Sequence, residues 1–255
     1  MPQQHKNKSD IKYQILVSVI GLLLVFVLTV FPPTVTGDFP WRKTVIGVIF
    51  SIFCVLGILA VFSPNQCLTI FNFRKKQRTV GSDSAKLVSH GTSTVLQGHH
   101  PTCGMFDAHI FRIKDKTCCA ACIGLLIGGL LALAGASVYF FGGWHVAEHS
   151  SLMILLGTVG VSFGLFQFKF KNLIRLFMNA IFVIGTLFIL IGVDELVRSL
   201  VFDLFVVSLI VFWLFTRISL SQWDHEVICS GCETENCSFR EYKKGEGLAS
   251  AIHGV

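Results

Sequence analysis

Read as apolar and polar positions, the chain carries six long apolar stretches. They run roughly Ile15–Phe31, Thr44–Phe62, Ile123–Phe141, Leu152–Phe168, Leu173–Val193 and Leu200–Phe215. A helix of about 20 apolar residues crosses a hydrocarbon core about 30 Å thick. The pattern therefore predicts an all-α membrane protein with six transmembrane helices. Leu152–Phe168 is the shortest stretch, and without it everything downstream would change side. Four regions result: a tail and first transmembrane hairpin (1–64), a cytoplasmic loop (65–122), a four-helix transmembrane region (123–217) and a Cys-containing cytoplasmic tail (218–255).

Composition agrees with this pattern. Hydrophobic residues make up 53% of the chain and charged residues 14%, against about 25% charged in a soluble domain; the mean hydropathy is +0.68. The lipid bilayer is thus the first partner. An even number of spans puts both termini on one side. That side collects 18 of the 21 Lys and Arg residues, all but Arg42, Lys43 and Arg198. Basic loops stay cytoplasmic, so both termini of this integral membrane protein are expected there. The net charge of +6 follows from topology, and no nucleic acid partner is implied. Pro32-Pro33-Thr34-Val35-Thr36 does not fit a signal-cleavage site, so the first span reads as an uncleaved anchor.

Within the spans, two stripes of small residues stand out. Gly124, Gly128, Ala132 and Ala136 recur every four residues on the third, and Gly157, Gly160 and Gly164 line the fourth. Small residues let helix backbones approach closely in lipid. The stripes predict that the third and fourth helices pack on each other, or that one meets a partner subunit. Trp41, Arg42 and Lys43 read as an interfacial anchor. Asp203 and Arg175 are ionisable groups near predicted span ends, functional candidates that snorkelling to water would also explain.

Seven of the nine cysteines fall in two clusters on the cytoplasmic side, where a reducing environment disfavours structural disulfides. The first pairs His100-Pro101-Thr102-Cys103-Gly104 with Cys119-Ala120-Ala121-Cys122-Ile123-Gly124. His100, Cys103, Cys119 and Cys122 form a four-ligand set suited to tetrahedral zinc, and a closed set of four is structural rather than catalytic. Iron is the less suitable metal, since one ligand is His. His99 or His109 can replace His100, and Cys118 can replace Cys119. Between the two knuckles, His109-Ile110-Phe111-Arg112-Ile113 alternates in polarity and meets Lys114-Asp115-Lys116, the pattern of a short hairpin. Knuckle, hairpin and knuckle together resemble a zinc ribbon, whose first turn usually reads Cys-Pro-x-Cys-Gly. The resemblance implies a small cytoplasmic β-hairpin insertion held by zinc. The membrane part resembles an uncharacterised family of prokaryotic polytopic proteins with a Cys-x-x-Cys-x-Gly signature at a helix start, which implies a prokaryotic plasma membrane and no activity.

Three further constellations remain. Cys119 and Cys122 also form a Cys-x-x-Cys pair at a helix N-terminus, where thiol pKa falls, similar to membrane thiol oxidoreductases that work with quinones. His225, Cys229, Cys232 and Cys237 offer a possible second metal site in the tail. His145, Glu148 and His149 spell the inverted zinc-protease motif; on a helix, His145 and His149 would share a face. The leading expectation is a non-catalytic membrane subunit or scaffold with structural zinc on its cytoplasmic face, docking a protein partner or larger membrane complex. Thiol–disulfide exchange or electron transfer through Cys119 and Cys122 comes second. A transporter or external metal-dependent enzyme comes third, because the spans lack mid-helix charges and Gly/Pro-broken halves.

Overall fold

The structure, a computed structural model, describes residues 8–33, 39–62, 105–113 and 116–231. Its helices are α1 (Lys8–Val30), α2 (Arg42–Phe62), α3 (Ala120–Ala136), α4 (Ser150–Leu165), α5 (Asn172–Val197) and α6 (Leu200–Ser230). Two four-residue strands, β1 (Ile110–Ile113) and β2 (Lys116–Cys119), precede α3. They pair antiparallel with Ile110 opposite Cys119 and Ile113 opposite Lys116, and β2 runs directly into α3.

Apolar residues dominate each helix, with Ala and Gly prominent in α3, and in hydrocarbon only a helix satisfies the backbone of such a segment internally. Among the described residues, five helices are long and apolar enough to cross a membrane: α1, α2, α3 with its extension to Phe141, α5 and α6. The fourth expected span needs correction. Its helix, α4, has only 16 residues, or about 24 Å at 1.5 Å per residue. The apolar letters continue to Phe168, but the helix stops where Gln167–Lys169 turns as a 3-10 segment. Polar Gln167 and Lys169 end the run that the surrounding phenylalanines extend.

The glycine stripes require a second correction. They do not face each other; each packs on α5, which runs between α3 and α4. A Cβ on Gly128 would lie 2.8 Å from the Ala180 carbonyl oxygen and 2.9 Å from its Cα. On the other flank, a Cβ on Gly157 would meet the Gly185 oxygen at 2.6 Å, and one on Gly185 the Gly157 oxygen at 2.9 Å. The α4–α5 contact is therefore glycine against glycine, and only backbone fits there. In consequence α5 is the central helix: 61% of its apolar window lies inside the protein, against 22% for α1.

The contacts also fix direction. Gly124 faces Leu176 and Gly135 faces Leu187, so α3 and α5 are parallel; Gly192 faces Ser150 and Phe182 faces Gly164, so α4 is antiparallel to α5. The outer helices follow. On α1, the Ser18 hydroxyl donates to Thr216 Oγ1 of α6 at 3.1 Å, and Trp213 Nε1 donates to the Ser18 carbonyl at 3.3 Å. Ile46, Phe50, Tyr139, Ile154, Phe182, Leu190 and Trp213 form one continuous core. A two-residue link joins α5 to α6, made possible by Arg198 in the left-handed region (φ 53°). That conformation costs a non-glycine residue about 1 kcal/mol. The Arg198 N–H donates to the Asp194 carbonyl at 3.1 Å, which closes the end of α5.

Candidate functional site

Polar side chains are buried at both ends of this bundle. The first layer gathers the start of α2, the end of the α3 extension, the end of α5 and the start of α6. Arg42, 2% exposed, donates through Nη1 to the carboxylates of Asp194 and, at 2.8 Å, Asp203. Both aspartates are fully buried. The Tyr139 hydroxyl lies 2.5 Å from Asp194 Oδ2 and 2.8 Å from Glu195 Oε2. A phenol has one proton, so it serves one carboxylate at a time. Lys43 supplies Glu195 from another side, with Nζ 3.2 Å from Oε2 and 4.4 Å above the Tyr139 ring. Arg198 Nη2 closes on Glu195 Oε1 at 3.3 Å. Three cations thus face three carboxylates across α2, α5, α6 and the α5–α6 link, with Tyr139 reaching in from the α3 extension.

At the opposite end, the second layer joins α5, α6 and the 3-10 turn Asp107–His109 that leads into β1. Arg175 Nη1 lies 3.0 Å from His109 Nε2, and its Nη2 donates to Asp224 Oδ2 at 3.3 Å. For the first contact to be a hydrogen bond, Nε2 must be the unprotonated nitrogen. Asn179 Nδ2 donates to the Arg175 carbonyl at 2.6 Å, while Arg217 donates to Asn179 Oδ1 and, at 3.3 Å, to Gln167 Oε1. The rings of Phe106, His109 and His225 pack with centroids 5.3–5.4 Å apart. The layer fixes the base of the paired strands onto α5 and α6.

The expected site residues are distributed as follows. Cys119, 3% exposed, ends β2 and N-caps α3; Cys122 is half-buried one turn later. His99, His100 and Cys103 lie outside the described residues. His109 directs Nε2 at Arg175 and Asp224, so that nitrogen is already engaged. In the tail set, His225 packs on Phe106 and His109, Cys229 belongs to the last turn of α6, and Cys232 and Cys237 lie outside the described residues. His145 lies in a non-helical stretch, Glu148 within a 3-10 turn, and His149 at the N-cap of α4. The shared helix face that a two-histidine grip needs is therefore not formed. Among the described residues, no group of three or more His, Cys, Asp and Glu is arranged to hold a metal ion.

The first layer escaped the sequence reading almost entirely. Arg42 is no interfacial anchor but a buried bridge, and neither Asp203 nor Arg175 snorkels: both are buried and paired. The usable signal was the charge balance of Arg42-Lys43 against Asp194-Glu195 and Asp203, all at the same end of the predicted spans. No known protein family matches the chain, and no curated protein or solved structure matches it either.

Proposed function

We propose that the chain is a non-catalytic integral membrane subunit whose cytoplasmic face, stapled by structural zinc, docks a protein partner. In this reading α4 is the sixth span and both termini are cytoplasmic. Its antiparallel course along α5, between the two polar layers, supports that assignment. The reading rests chiefly on the His109–Arg175–Asp224 cluster, which seats the paired strands on α5 and α6. Strands held this way support a rigid platform on the membrane domain rather than a loose arm. The first layer supports the same conclusion, because matched charges packed across three helices and the α5–α6 link suit a clasp better than a conduction path.

Zinc would be held by His100 and Cys103 together with Cys119 and Cys122. The described half suits a metal knuckle: two cysteines one helical turn apart at a strand–helix junction. The same placement at a helix N-terminus suits thiol–disulfide exchange by Cys119 and Cys122, the second reading.

Metal analysis of the purified protein separates the two. One tightly bound zinc is expected, or up to two if the tail cysteines also ligate. Cys103→Ser and Cys122→Ser should each remove one equivalent without unfolding the spans, and Cys118→Ser should not. Metal-free protein with an oxidised Cys119–Cys122 pair would overturn the staple and favour redox chemistry.

A further inference from the structure

Away from both polar layers, α4 has two unlike faces. Gly157, Gly160 and Gly164 are buried against α5, whereas Val159 and Phe163 point outward, 53% and 49% exposed. The outer face holds a groove of about 310 Å³, lined by Thr158, Val159, Ser162, Phe163 and Phe166. Two of these residues carry hydroxyls, yet neither offers its proton to the groove. Thr158 Oγ1 donates to the Ile154 carbonyl at 2.8 Å, and Ser162 Oγ to the Thr158 carbonyl at 2.7 Å. A groove of this kind suits a hydrocarbon chain and offers little to a polar ligand.

Where the groove ends, the chemistry changes. Phe166 is its last lining residue, and Lys169 Nζ stands 5.6 Å from that ring's centroid. Lys171 follows, also exposed. Phe168 packs on Phe166 at 6.3 Å and edge-on against Trp223 of α6 at 6.1 Å. Aromatic rings with Lys at a helix end are the residues that settle at headgroup level. The 16 residues of α4 are shorter than the hydrocarbon core, and a short span draws the bilayer thin around it. Headgroups are thereby brought toward Lys169. The basic-residue count puts this end in the cytoplasmic leaflet, where anionic lipids concentrate.

We propose that the outer groove of α4, with Lys169 at its mouth, is a binding site for an anionic phospholipid. One acyl chain lies along Val159, Phe163 and Phe166, and the headgroup phosphate pairs with Lys169, with Lys171 beside it. The site is independent of the zinc reading but rests on the six-span reading above, in which α4 crosses the membrane with Lys169 at its cytoplasmic end.

The test reconstitutes the full chain in nanodiscs of equal parts phosphatidylcholine and phosphatidylglycerol, extracts it in mild detergent, and identifies retained lipid by native mass spectrometry. Wild type should retain phosphatidylglycerol over phosphatidylcholine. Lys169→Ala should lower that preference about fivefold, the ratio that one basic residue's attraction to an anionic surface supports. Val159→Trp should fill the groove and reduce retention of both lipids; Leu152→Trp, also exposed on α4 but outside the groove, should not. Equal retention of the two lipids by wild type, or an unchanged preference in Lys169→Ala, overturns the proposal. A wild-type dimer that Val159→Trp dissociates would assign the groove to a second copy of the chain and overturn it equally. Should Val159→Trp fail to purify, Lys169→Ala decides alone, since it alters an exposed side chain.

Discussion

Arg42→Ala is the substitution to which this bundle should respond most strongly. It removes one cation from two carboxylates, and the two are not left equally exposed to the loss. Asp194 keeps the Tyr139 hydroxyl at 2.5 Å and Lys43 at 3.8 Å. Asp203 loses the cation held at its Oδ2, while its Oδ1 has no partner among the described residues and its remaining side-chain neighbour, Asp194, is another acid. Breaking a buried ion pair by deleting one side costs about 3–5 kcal/mol. Most of that cost should come from Asp203, stranded inside the protein. For a chain of this size about 1 kcal/mol corresponds to about 2–4 °C, so a loss of about 10–15 °C is expected. Thermal unfolding in mild detergent, followed by the fraction still monodisperse after heating, measures it. Arg42→Ala/Asp203→Asn removes the stranded charge and should recover about half of the loss. Contacting residues are expected to be non-additive in this way. A single variant within about 3 °C of wild type, or a double variant that simply sums the two losses, would refute the reasoning.

Two further outcomes are expected. Gly128→Leu should drive α3 off α5, because a side chain there meets the backbone of Ala180; overpacking of this kind costs about 1–3 kcal/mol, read as lower yield or lost detergent stability, and an unchanged protein would mean the stripe is not tightly packed. A reporter active only in the cytoplasm should work both when fused after Val255 and when inserted near Ser84, and opposite results at the two points would remove α4 from the count of spans.

Much of the architecture is written in the apolar runs, since length and hydropathy alone mark five membrane-crossing helices. The end of α4 was misjudged because Phe166, Phe168 and Phe170 keep the run apolar past the point where the helix stops. The glycine stripes were visible, but a small-residue face states how closely a neighbour approaches and not which neighbour it is. The partner, α5, gives a weaker signal: Ala180, Gly185 and Gly192 do not fall on a regular four-residue step. Charged residues were hardest to place. Arg42 sits beside Trp41 and Lys43, which made it look interfacial, while its partners Asp194 and Asp203 lie 152 and 161 residues downstream. Pairing at that distance leaves no local pattern. His109 shows the same effect, read as a spare ligand although its Nε2 is engaged by Arg175.

Synthesis order gives the position of α5 a further meaning. The ribosome releases α3 and α4 before the helix on which both are shaped to pack. Until residues 172–197 follow, two faces carved for close backbone approach meet only lipid tails, which leave no gain for a glycine over a larger residue. A nascent chain halted before Asn172 therefore displays both faces with nothing to fill them. Arg42 waits longer still, through α5 for its first counter-ion and into α6 for its second. Until then it is a cation without the two carboxylates that hold it in the finished bundle.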